Sequence, residues 1–65
     1  MKKWYNYETY SINVRDAVRK YLKENHINYE LSSCFDGWHF EIEIEEENRE
    51  TVDWFLWRIN EYIVD

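Results

Sequence analysis

The stretch Ile27-Asn28-Tyr29-Glu30-Leu31-Ser32-Ser33-Cys34-Phe35-Asp36-Gly37-Trp38-His39-Phe40-Glu41-Ile42-Glu43-Ile44-Glu45 decides the fold. Its apolar residues recur at every second position, the period of a strand with one buried face. On the first half, Ile27, Tyr29, Leu31, Ser33 and Phe35 share a face, with Asn28, Glu30, Ser32 and Cys34 on the other. On the second half, Trp38, Phe40, Ile42 and Ile44 alternate with His39, Glu41, Glu43 and Glu45. Between them, Asp36-Gly37 is the residue pair favoured in a type I′ two-residue turn, which needs positive φ at both central positions. Such a turn predicts Phe35 opposite Trp38, Leu31 opposite Ile42 and Tyr29 opposite Ile44. It also sets Glu30 against Glu43, Ser32 against Glu41 and Cys34 against His39. A slip of one residue would carry the apolar set into water, so the faces are well specified.

Upstream, Val14, Ala17, Val18, Tyr21 and Leu22 follow the i, i+3, i+4, i+7, i+8 spacing of an amphipathic helix over residues 14–25. Asn13 is the expected N-cap, with Asp16 three residues on and Asn25-His26 at the far end. Residues 3–12 are ambiguous. Tyr7 and Tyr10 would extend the helical stripe, whereas the density of Trp, Tyr and Thr favours a strand, and a strand is the reading adopted.

Downstream, Asn48 is placed to cap a helix over residues 49–63, and Glu45, Glu46, Glu47 and Glu50 crowd its positive end. Val52, Phe55, Leu56, Ile59 and Ile63 form its core stripe, with Tyr62 at the edge. Trp54 and Trp57 fall on the far side. The expected fold is α+β, a two-layer sandwich of order (β)αββα. Two helices pack on one face of a small antiparallel sheet built around the Asp36-Gly37 hairpin.

With 65 residues, no proline, one glycine and no repeat, the chain reads as one domain, 1–65. A domain of this length buries only about 60% of the surface its unfolded chain exposes. A single cysteine excludes an internal disulfide, so four Trp, six Tyr and three Phe are the expected compensation, through dense packing or self-association. No apolar run is long enough for a membrane helix and no export signal is seen; the lone thiol suits a reducing compartment. The expected location is cytoplasmic, in a bacterium or an infected host cell.

Charge is unevenly distributed. Residues 1–25 carry six basic side chains against three acids, while residues 26–65 carry only Arg49 and Arg58 against eleven acids. Direct nucleic-acid binding by the acidic part is disfavoured, because phosphate contacts need positive charge. Carboxylates lined up on one sheet face can instead imitate a phosphate backbone and fill a basic groove. The alternative is a solvated face that deters aggregation.

Trp54 and Trp57 are candidates for an interface unless Trp4, Tyr5 and Tyr7 fold over them. Arg15, Arg19 and Lys23 line the outer side of the first helix, with Asp16 and Lys20 as a supporting pair. Cys34, Asp36 and His39 meet at the turn but fall short of the four ligands of a structural zinc site, and an open two-stranded face gives a Cys–His pair no pocket. No phosphate loop, serine elbow or zinc signature is present.

The expectation is therefore a non-enzyme without metal or cofactor. It would bind a protein through Glu30, Asp36, Glu41, Glu43, Glu45, Trp54 and Trp57, as an inhibitor of a nucleic-acid-processing enzyme of the kind phages direct against host defence. The alternative is a homo-oligomeric adaptor, a homodimer for example, assembled through the C-terminal helix. Neither reading calls for a membrane.

Overall fold

The aromatic-rich N-terminus is a strand. The computed structural model describes residues 1–62, in the order β1 (Lys2–Thr9), α1 (Ile12–Glu24), β2 (Asn28–Ser33), β3 (Trp38–Glu45) and α2 (Arg49–Tyr62), with a 3-10 turn at Glu46–Asn48 leading into α2. The expected α+β sandwich is present. β3 lies at the centre of a three-stranded sheet of order β1-β3-β2, antiparallel to both neighbours. Ile63, expected in the core stripe, lies outside the described residues.

Three elements contribute equally to the core. Val14, Val18 and Leu22 come from α1, Phe40, Ile42 and Ile44 from β3, and Val52, Leu56 and Ile59 from α2. Tyr21 of α1 and Phe55 of α2 stack with ring centroids 3.7 Å apart, joining the two helices above the sheet. Tyr5 and Tyr7 of β1 and Tyr29 and Leu31 of β2 pack against the same core from the two edges.

The helix ends differ from expectation in detail. α1 starts two residues early because Ser11, not Asn13, is its N-cap: Ser11 Oγ accepts from the Val14 amide at 3.1 Å. Asp16 accepts from Arg15 rather than pairing with Lys20, which faces Glu24. At the other end, His26 adopts φ 55°. Its amide donates to the Lys23 carbonyl and that of Ile27 to the Leu22 carbonyl, the paired bonds of a Schellman stop in which the left-handed residue is usually glycine.

The hairpin turn is displaced. Ser33 pairs with Trp38, Leu31 with Phe40 and Tyr29 with Ile42. The Cys34 amide donates to the Gly37 carbonyl at 2.9 Å and the Gly37 amide to the Cys34 carbonyl at 3.4 Å. The tip is thus Phe35-Asp36, not Asp36-Gly37, and Phe35, expected on the inner face, is 99% exposed. No residue of the turn has positive φ, so the I′ geometry is absent.

Gly37 is required for another reason. A Cβ there would lie 2.4 Å from the Thr9 carbonyl oxygen and 3.0 Å from Tyr10 Cα, because the β1–α1 connection runs against it. The register moved by two residues, so the side chains that remain in the ladder kept their expected faces, and Phe35 alone was carried from the inner face into the tip.

Candidate functional site: an open acidic sheet face

Both helices lie on one side of the sheet, and the residues of the other side follow from the register. Across the three strands, the rows are Lys2–Glu45, Trp4–Glu43–Asn28, Asn6–Glu41–Glu30 and Glu8–His39–Ser32. Glu30 therefore faces Glu41 rather than Glu43, and the two are exposed. Directly opposed like charges destabilise a ladder. Among the described residues neither carboxylate has a cation within ion-pair distance.

The rest of the face is partly compensated. Asn28 Nδ2 donates to Glu43 Oε1 at 3.3 Å, and His39 Nε2 lies 3.0 Å from Asn6 Oδ1. Glu45 is engaged by the N-terminal amine at 3.0 Å, and Lys3 pairs with Glu46. The Lys3 ammonium holds the Glu46 carboxyl below its usual range. In return, Glu46 raises Lys3, and Glu45 raises the terminal amine. Two of the glutamates expected at the positive end of α2, Glu45 and Glu46, thus also fasten the start of β1. Glu45 is accordingly less available than Glu30 or Glu41, and Asp36 sits exposed at the turn tip beyond the last pair of the ladder.

Sequence reasoning missed the contribution of β1 to this face. Trp4, half exposed, stands beside Glu43, and Glu8 adds a further carboxylate. The signal was present in the alternation of Lys2, Trp4, Asn6 and Glu8 with Lys3, Tyr5, Tyr7 and Thr9. What the sequence lacked was the pairing of β1 with β3 instead of β2.

Trp54 and Trp57 are 56% and 59% exposed on the outer side of α2, remote from the acidic face. The N-terminal aromatics do not cover them. Trp4 belongs to the opposite side of the sheet, Tyr5 lies under the Arg49 guanidinium, and Tyr7 accepts from Asn60 Nδ2. Burial pushes the Tyr7 hydroxyl up, against the lowering effect of that bond. Arg58 lies 4.8 Å over the Trp54 ring and 5.2 Å over that of Tyr62, which is exposed rather than at the core edge. Val64, which the sequence would set near the two tryptophans, lies outside the described residues.

The remaining clusters are dispersed. Cys34 pairs with Gly37 and His39 with Ser32 and Glu8, so thiol and imidazole are not opposite each other. No group of three metal-binding side chains occurs among the described residues. On α1, Arg15 bonds to Asp16 and lies 4.6 Å over the Trp38 ring, while Arg19 is half-buried, which breaks up the basic stripe. A groove of about 450 Å³ at one end of the sheet, lined in part by Lys2, His26, Glu43, Glu45 and Thr51, adjoins the acidic face. No described helix is long and apolar enough to cross a membrane. No protein-family model, curated protein or solved structure matches the chain.

Proposed function

We propose that the protein is a binding module, not an enzyme, whose open acidic sheet face docks on the basic surface of a nucleic-acid-processing protein and inhibits it. The observation that carries this reading is the opposed, uncompensated Glu30–Glu41 pair on a face that neither helix covers. Glu8 and Glu43 extend the charge to either side, and Trp4 supplies a flat apolar contact among them. Electrostatic complementarity of this kind steers association and excludes wrong partners. A cytoplasmic setting, bacterial or within an infected cell, fits that role.

The test is affinity capture from a bacterial lysate, using the wild-type chain and a Glu30→Lys, Glu41→Lys, Glu43→Lys variant as baits. A nucleic-acid-binding protein retained by the wild type, released by excess duplex DNA and not retained by the variant supports the proposal. Retention that is indifferent to both duplex DNA and charge reversal overturns it.

The exposure of Trp54 and Trp57 favours a second reading, self-association into a homodimer.

A further inference from the structure

We infer that two copies join edge to edge through β1, in antiparallel register centred on Tyr5, to form a six-stranded sheet. This inference rests on the self-association reading and is independent of the acidic-face reading. Three observations lead to it.

The first is the edge itself. β1 is eight residues long, without proline or glycine, and among the described residues pairs only on its β3 side. A strand of that length with one free side is a template for a further strand.

The second is that the sequence of β1 is complementary to itself. In antiparallel order about Tyr5, Lys2 of one copy meets Glu8 of the other at both ends, Trp4 meets Asn6, Lys3 meets Tyr7, and Tyr5 meets Tyr5. Every pair joins side chains of the same sheet face, and the only charged side chains that meet are opposite in sign. The other edge, β2, offers no such match. Its two-fold register centred on Glu30 sets Glu30 against Glu30, and the one centred on Leu31 sets Glu30 against Ser32, so neither gains an ion pair. Of the two edges, β1 is the one whose own sequence pairs opposite charges.

The third is the helix above the edge. One flank of α2 meets α1 through Phe55 on Tyr21. The opposite flank meets β1, through Arg49 over Tyr5 and Asn60 on Tyr7. Arg49, Asp53 and Trp57 follow one another at i, i+4 spacing along that flank, with Asn60 three residues beyond Trp57. A two-fold axis perpendicular to the sheet keeps the helices of both copies on one side. It brings the two α2 flanks together and covers Trp57, while Trp54 stays further round the helix. The two acidic faces then form one continuous surface.

Sedimentation of the full chain from micromolar to millimolar concentration tests the inference, with circular dichroism as the control for folding. The wild type should dimerise. Lys2→Glu should weaken the dimer at least tenfold, adding Glu8→Lys to it should restore the dimer, and Trp57→Ala should weaken it more than Trp54→Ala. A wild type that stays monomeric throughout overturns both the inference and the self-association reading. A dimer indifferent to Lys2→Glu but lost with Trp54→Ala overturns the β1 register alone.

Discussion

Two residues show how local backbone demands act here against the usual assignment of glycine. His26 occupies the left-handed position that ends α1, where a Cβ is unfavourable by about 1–2 kcal/mol. Glycine relieves that strain but adds freedom to the unfolded chain. His26→Gly should therefore raise the unfolding free energy by about 0.5–1 kcal/mol, read from urea denaturation at constant m-value. Gly37 is the converse case. Its backbone is ordinary, yet the Thr9 carbonyl leaves no room for a methyl group. Gly37→Ala should cost about 1–3 kcal/mol, the range for overpacking, and the β1–α1 connection should show the largest chemical-shift changes. If the loss is instead confined to the Phe35-Asp36 tip, close approach is not what the glycine serves.

At the scale of elements, β1 is fastened at its start by charge. Glu46, depressed by Lys3, contributes stability above the ordinary carboxylate value, and that contribution is lost as pH falls through its lowered folded value. The terminal amine is raised from 8.0 by Glu45, so its contribution is present below that value and lost as pH rises through the raised folded one. Protection factors of those amides at the start of β1 that donate to β3 should accordingly be highest near neutrality and fall towards both acid and alkali. Protection that stays level from acid to alkali would contradict this fastening.

The elements also show where sequence was informative. Alternation in residues 27–45 specifies which side chains lie together, because a period of two is insensitive to a two-residue shift. The turn was misplaced because Asp36-Gly37 satisfies the I′ rule locally, while the close passage of Thr9 and Tyr10, distant in sequence, places Gly37 within the ladder. Ser11 was overlooked as a cap because the apolar stripe was counted from Val14, although exposed Ile12 and Asn13 already belong to the helix. For the candidate site, Glu30, Glu41 and Glu43 were legible from the hairpin alone. Trp4 and Glu8 were not, since their place depends on the order in which three strands pair.

For the whole molecule, the division of labour between the two sheet faces is the organising fact. One face buries nine apolar side chains with the helices; the other gathers carboxylates, two of them opposed with no counter-ion among the described residues. If that opposition is retained for binding, removing it should help the fold. Glu41→Gln should raise stability by about 0.2–1 kcal/mol at low salt, with a smaller gain in high salt. No gain in either condition would mean that the face carries no electrostatic strain.

The claim that this face is a docking surface is tested most directly by capture from lysate with and without excess duplex DNA, wild type against the Glu30→Lys, Glu41→Lys, Glu43→Lys variant. The expected result is a basic nucleic-acid-binding protein held by the wild type alone and displaced by DNA. Equal retention by both baits, undisturbed by DNA, would contradict it.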